Sequence, residues 1–177
     1  MKRETRVTRT YPHPPELVWR ALTDPALISE WLMQTDFQPQ VGHRFTLRTD
    51  PGPGFDGVVH CEVLEIEPIH RMRWSWRGGP IDTIVAFELE PVALSDAAAT
   101  RLHVHQSGFE GLPAVLVSYI LGSGNRSIYG ERLPRVLDRL AGRTTDPAPA
   151  PHMWGPWRLL TAIFAPILRR STRRNDR

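Results

Sequence analysis

The feature that most restricts the fold of this chain is a change in hydrophobic period. Before residue 40 apolar residues recur at helical spacing. From Val41 onward they alternate, and runs at 43–49, 57–67, 69–77, 81–90 and 100–107 read as strands. Met72, Trp74 and Trp76 alternate with Arg71, Arg73, Ser75 and Arg77; Thr83, Val85, Phe87 and Leu89 alternate with Asp82, Ile84, Ala86 and Glu88. Side chains in a strand point to opposite faces in turn, so this pattern means one covered face and one wetter face. Asp-Pro-Gly-Pro-Gly, Glu-Pro, Gly-Gly-Pro and Pro-Val-Ala-Leu-Ser-Asp separate the runs and supply turn and loop chemistry. The strands therefore follow one another as antiparallel hairpins.

Helical signals flank this block. Thr5 to Tyr11 reads as a short strand, and Pro14-Pro15 then opens a helix with Leu17, Val18, Ala21 and Leu22 on one side. Asp24-Pro25 stops it and starts a second short helix through Ile28, Trp31 and Leu32. Beyond the strands, Glu110 to Leu140 returns to helix. Leu112, Val115, Leu116, Tyr119 and Ile120 form one apolar stripe, and Tyr129, Leu133, Val136, Leu137 and Leu140 form another, with Gly122-Ser123-Gly124 between them as a hinge or close-packing point. Pro134 lacks an N–H and crowds the carbonyl of Gly130, which predicts a bend near there. The expected organisation is an α+β domain over residues 1–140, a Pro/Ala linker over 141–153 and an amphipathic basic tail over 154–177.

A strand, two short helices, hairpin-connected strands and a long terminal helix together describe the helix-grip arrangement: a curved antiparallel sheet of about six strands wrapped around a long C-terminal helix. A bent sheet and one helix do not always fill the space between them, and what is left is a cavity. Three stretches carry a family resemblance: Val18-Trp-Arg-Ala-Leu-Thr-Asp-Pro25 with Trp31 after it; Gly57 through Cys61-Glu-Val-Leu-Glu-Ile-Glu-Pro68, closing on Arg73-Trp-Ser-Trp76; and Val85-Ala-Phe-Glu-Leu-Glu-Pro91, leading to Thr100-Arg-Leu102 and Gln106-Ser-Gly-Phe109. Over roughly residues 3–140 the chain resembles the START-like (SRPBCC) superfamily, in the branch named after the activator of heat-shock-protein-90 ATPase. The resemblance implies an apolar, lipid-like or polycyclic ligand held between sheet and helix. Relatives described as polyketide cyclases imply an alternative, a cyclase, dehydratase or hydrolase in the same cavity. Many relatives carry Gly-Trp near the start of the final helix, where this chain reads Gly124-Asn-Arg-Ser-Ile-Tyr-Gly130.

Trp31, Phe45, Trp74, Trp76, Phe87, Phe109 and Tyr119 are the residues expected to line the cavity, each offering rigid contact area at small entropic cost; a packed core is the competing reading of each. His60, Glu62, Arg73, Asp82 and Glu88 are the strand-borne polar residues that could serve as acid or base if burial moved their pKa values toward neutrality, and outward-facing cross-strand ion pairs explain most of them more simply. His103 and His105 share one face of a strand, but no third ligand beyond His60 suggests itself, so no metal is implied. No nucleophile elbow and no dinucleotide fingerprint is present, and no cofactor is implied. Cys61 lies among apolar neighbours and reads as an inert core thiol.

Charge is divided unevenly: residues 1–140 carry 15 basic and 17 acidic groups, whereas 141–177 carry 7 and 2. The first of these balances gives no general attraction for nucleic acid. A single cysteine and a polar N-terminus without a signal-peptide core point to the cytoplasm. In the tail, Trp157, Leu160, Phe164 and Ile167 recur at helical spacing with Arg169, Arg170, Arg173, Arg174 and Arg177 after them. The apolar stretch is about half of the roughly 20 residues that span a bilayer. The tail could lie peripherally on an anionic membrane surface, pack on its own domain, on a second copy in a homodimer or on a partner protein, or remain disordered.

Overall fold

The computed structural model describes residues 2–51 and 55–144. Alternation builds one seven-stranded antiparallel sheet. Its strands are β1 (Lys2–Tyr11), β2 (Gln34–Thr35), β3 (Arg44–Arg48), β4 (Val58–Glu67), β5 (Arg71–Gly78), β6 (Ile81–Leu94) and β7 (Ala97–Glu110), in spatial order β1-β7-β6-β5-β4-β3-β2. Six are long, and the two-residue β2 is the addition to the six expected from the sequence. Only β1 leaves the hairpin order, pairing with β7 from Lys2↔Glu110 to Tyr11↔Thr100. As an edge strand it exposes Lys2, Glu4, Arg6, Thr8 and Thr10, charged and polar residues that discourage pairing with another sheet.

The β6–β7 hairpin is longer than the sequence suggests. The stretch read as a loop between the two strands is instead paired as far as Leu94↔Ala97, around a two-residue turn at Ser95 and Asp96 with φ of 48° and 66°, the backbone that suits the twist of a tight hairpin. Pro91 is tolerated because β5 pairs β6 only as far as Glu88, which leaves that edge of β6 without a ladder to break.

Two short helices, α1 (Pro15–Thr23) and α2 (Pro25–Trp31), follow β1 as expected. Pro15 and Pro25 each occupy a first turn, where a missing N–H costs nothing, and the Asp24 carboxylate caps α2 by accepting from the N–H groups of Ala26 and Leu27. The long terminal helix has three parts: α3 (Gly111–Ser127), a π turn (Ile128–Arg132) and α4 (Leu133–Leu140). The bend expected from Pro134 takes this form. Pro134 has no N–H for the Gly130 carbonyl, and the ladder widens so that the Leu133 N–H reaches Ile128 O. At Gly122 and Gly124 an added Cβ would meet nothing within 4 Å, so neither glycine is there for close packing.

α4 is fastened tightly. Buried His13 meets Asp138 at 2.9 Å and Arg139 pairs with Glu30, while in the π turn before it Tyr129 O accepts from the Tyr11 hydroxyl at 2.7 Å. α3 leans on β1 and β7 at the edge of the sheet. The turn after α4 ends the described residues, so most of the expected linker and the whole tail, residues 145–177, lie outside them. No helix among the described residues is long and apolar enough to cross a membrane.

Candidate functional site

The inner face of the sheet, which looks toward α3 and α4, divides into two halves. In the first, the rings of Phe37, Phe45, Trp74 and Phe87 pack in series, with centroids 5.1 Å apart for Phe37–Phe45, 5.3 Å for Phe45–Trp74 and 4.8 Å for Trp74–Phe87. Trp31 sits 5.8 Å from Tyr129 and donates its indole N–H to Ala21 O at 2.9 Å. Trp31 and Trp74 are 0% exposed and Phe87 1%, so almost no surface of these rings faces solvent or a water-sized void. These side chains fill the space themselves, as close-packed interiors do.

The second half lies on β5, β6 and β7 at the end of the sheet from which α3 departs, and it combines aromatic and polar groups. Trp76 stands opposite Thr83 in the β5–β6 ladder. The Gln106 side-chain amide donates to Thr83 Oγ1 at 2.9 Å, and the Thr83 hydroxyl donates to Trp76 O at 3.3 Å. That chain of bonds holds the Gln106 side chain and turns its carbonyl oxygen away from Thr83. Trp76 and Gln106 retain 8% and 9% exposure, and Val117 and Leu121 of α3 are only partly buried against the core. A β-bulge shapes this corner. The register of β1 against β7 shifts between Arg3 and Glu4, and Gly108 takes a φ of 101° with its Cβ position 3.2 Å from Asp82 O, which turns Phe109 inward to full burial.

Of the seven residues expected to line a cavity, five lie on the inner face of the sheet, Phe45, Trp74 and Phe87 within the ring series and Trp76 and Phe109 at the second half, and a sixth, Trp31 of α2, is buried beside the ring series. Tyr119 stands apart. It is 57% exposed on α3, and the Arg3 guanidinium lies 3.5 Å from its ring centroid, a cation–π contact that fastens α3 to the edge strand.

Among the described residues two buried side-chain polar atoms have no partner, Trp74 Nε1 and Arg132 Nη1. Arg132 belongs to the π turn and is 5% exposed, among buried Ile128, Tyr129 and Leu133. Burial pulls its pKa below the usual arginine value, because the charged form loses hydration. Neither Arg132 nor the Gln106–Thr83 pair was a sequence candidate. Arg132 reads as one more charge in a helix, and only its position after Ile128 and Tyr129 and directly before Leu133 could have hinted at an inward side chain.

His60, Glu62, Arg73, Asp82 and Glu88, the sequence candidates for acid–base work, all occupy outward positions on their strands. Arg44–Glu62, Arg73–Glu65 and Arg77–Asp82 pair at 3.4, 3.5 and 3.1 Å, the cross-strand arrangement named as their simpler explanation. A depression of about 360 Å³ on that outer face is lined by Glu65, Arg71, Arg73, Glu88, His105 and Ser107 among others, and Arg71 bridges Glu65 and Glu67 at 2.7 and 3.0 Å across its rim. His103 and His105 pair with Glu90 and Glu4 at 3.2 and 2.9 Å; no group of three metal-ligating side chains occurs among the described residues. On the inner face burial pushes the Cys61 thiol up to about 12 and raises the Tyr11 and Tyr129 phenols further above their usual value, so none of these offers a base near neutrality.

Comparison with known proteins matches this architecture. A crystal structure of MLL2253 from Mesorhizobium loti aligns with a TM-score of 0.60 at 37% identity, over 81% of this chain and 99% of that one. DynU16, a protein in the dynemicin biosynthetic locus, aligns with a TM-score of 0.60 at 29% identity, over 76% of this chain and 47% of that one. CalU16 from Micromonospora echinospora shares the fold with a TM-score of 0.57 at 22% identity, over 78% of this chain and 83% of that one. Among curated proteins none matches. The family model described as Activator of Hsp90 ATPase homolog 1-like protein matches residues 12–137. With the sheet, the two short helices and the broken terminal helix in that family's order, the chain belongs to the Activator of Hsp90 ATPase homolog 1-like family of the START-like superfamily.

Proposed function

We propose that this protein binds an apolar small molecule between the inner face of β5–β7 and α3, at the corner formed by Trp76, Ile81, Thr83 and Gln106. The observation that carries the reading is the contrast between the two halves of the interior. One is closed by its own rings. The other keeps partly accessible aromatic and aliphatic surface beside a polar pair whose geometry is already fixed. Apolar walls with a few oriented polar groups are what small-molecule sites are made of. The family is one of START-like ligand-binding and polyketide-cyclase-like folds, and a relative in a biosynthetic locus is in keeping with a small-molecule ligand.

Binding without turnover is the favoured form of this reading. The titratable groups on the described inner face are arginines, phenols and a thiol whose pKa values lie far from neutrality or whose charge is fixed; buried His13 is engaged with Asp138 beside α4, and the carboxylates and histidines proposed for catalysis face outward. The test is a fluorescence titration with phenylnaphthylamine, an uncharged dye that brightens on leaving water. The wild type should bind it saturably at one site, and Val117→Trp, which adds bulk to the partly buried face of α3, should abolish that binding without unfolding the domain. Undiminished binding by Val117→Trp would place the ligand elsewhere and defeat the proposal.

A further inference from the structure

The polar groups of the open corner restrict what the ligand can carry. A threonine hydroxyl has one hydrogen to donate, whereas a glutamine amide can present either its NH2 or its carbonyl. The Thr83 hydroxyl gives its hydrogen to Trp76 O at 3.3 Å, so towards Gln106 it offers only lone pairs. The Gln106 amide must therefore turn its NH2 to Thr83, as it does at 2.9 Å, and its carbonyl oxygen becomes an acceptor of fixed direction. No described residue donates to that oxygen, although the side chain is only 9% exposed. Nor is the oxygen sealed: the sealed, unpartnered side-chain atoms among the described residues are Trp74 Nε1 and Arg132 Nη1, elsewhere in the interior. A second polar group stands beside it. Thr5 of β1 lies directly opposite Gln106 in the β1–β7 ladder, on the same face and equally buried, which sets the two Cβ atoms about 5 Å apart. Its hydroxyl likewise has no described partner and is not sealed. Both residues sit on the strands that α3 packs against. Polar atoms in so buried a place cost free energy until something bonds to them.

We infer that the ligand carries a hydroxyl group on its apolar frame, which donates to Gln106 Oε1 and accepts from Thr5 Oγ1, so that the ligand class is an uncharged apolar alcohol or phenol. This inference rests on the reading of the corner as a ligand site. It adds the ligand's polar group. A hydroxyl donates and accepts through a single oxygen and so meets both protein atoms. A ketone, an ether or an ionised carboxylate only accepts, and would set its oxygen against the Gln106 carbonyl. A site built to bond a hydroxyl rejects an analogue without one, because its own buried polar groups are then left unpaired. Thr83 acts through Gln106 as a positioning residue: it decides which end of the amide the ligand meets.

Three matched competitors test it: naphthol, its methyl ether methoxynaphthalene and the ketone acetonaphthone, all substituted at the same ring position. Each displaces phenylnaphthylamine from the full chain at neutral pH, and the preference is read as a ratio within each protein, so that any change in the dye's own affinity cancels. The wild type should prefer naphthol to the other two by about tenfold, equivalent to about 1.4 kcal/mol. Gln106→Met, which keeps the length of the side chain and removes the acceptor, should bring the naphthol-to-ether ratio close to one. Thr83→Val, which keeps the shape of the side chain, frees the amide to turn its NH2 to the ligand and should raise acetonaphthone towards naphthol; it carries the test alone should Gln106→Met fail to fold. Equal displacement of the dye from the wild type by naphthol and its ether, or a preference that survives Gln106→Met, would overturn the inference while leaving the ligand site standing. A wild-type alcohol-to-ketone ratio in Thr83→Val would refute the fixed direction of the amide and the inference with it. Failure of the wild type to bind the dye or any of the three competitors would overturn the ligand site and the inference together.

Discussion

Truncating Phe87 to alanine distinguishes a solid interior from a hollow one. Phe87 is 1% exposed, its ring lies 4.8 Å from that of Trp74, and Trp74 in turn contacts Phe37 and Phe45 with centroids 5.3 Å away in each case. In a packed core such a change costs about 3–5 kcal/mol, the sum of lost transfer energy and the void left behind. Three further rings that cannot collapse into the gap place the expected loss near the middle of that range or above, at about 4 kcal/mol. For a domain of this size about 1 kcal/mol moves the melting temperature by roughly 3 °C, so Phe87→Ala should melt about 12 °C lower. Urea denaturation should show the same loss as a lower midpoint at unchanged slope. A loss below about 1.5 kcal/mol would mean that Phe87 already borders empty space, and the division of the interior into a closed and an open half would fail.

Other perturbations have equally definite outcomes. Tyr11→Phe leaves the buried Tyr129 carbonyl without its 2.7 Å donor and should cost about 1 kcal/mol in denaturant melts. Ile69 holds a φ of 69° in the Pro68-Ile69 turn, where the His70 N–H closes on Glu67 O at 3.0 Å; a β-branched residue is strained there, so Ile69→Gly should be neutral or stabilising by up to about 1 kcal/mol, whereas the same change at Ile66 should destabilise. The Asp36 carboxylate accepts from the Thr46 N–H at 2.7 Å, and that bond holds its pKa below the usual 3.8. A carboxyl group with a lower pKa folded than unfolded stabilises above the unfolded value and loses that contribution as pH falls through the folded one. The melting temperature should therefore drop on acidification below about pH 4, and Asp36→Asn should flatten that part of the profile. Cys61, buried with its thiol raised to about 12, should react with thiol reagents at pH 8 only as fast as the domain unfolds.

Much of the fold is legible in the sequence because it rests on period. Alternation in residues 71–77 and 82–89 gives the inner and outer faces directly, and the positions of Met72, Trp74, Phe87 and Leu89 on the inner face follow from it. Pro15, Pro25 and Pro134 mark helix starts and the helix irregularity for steric reasons that need no tertiary context. What the pattern hides depends on contacts across the chain. The two residues of β2 are too few for any period, and they exist because Gln34 and Thr35 fall opposite Arg48 and Leu47. The turn at Ser95-Asp96 carries no glycine to announce positive φ. Among site residues, an aromatic run shows that Trp74 and Trp76 are inward but not that one is sealed and the other partly open, since that depends on where α3 crosses. Gln106 and Thr83 become a pair only through sheet register, and Arg132 faces inward because Pro134 unsettles the helix ladder before it.

The account stands on the open corner of the interior, and amide chemical-shift mapping during a phenylnaphthylamine titration tests it most directly. Perturbations confined to Trp76, Ile81, Thr83, Gln106 and the facing residues of α3, with the Phe37, Phe45 and Phe87 amides unmoved, are the predicted result. Shifts gathered on the outer-face depression around Arg71, Arg73 and Glu88, or no saturable shifts at all, would contradict it.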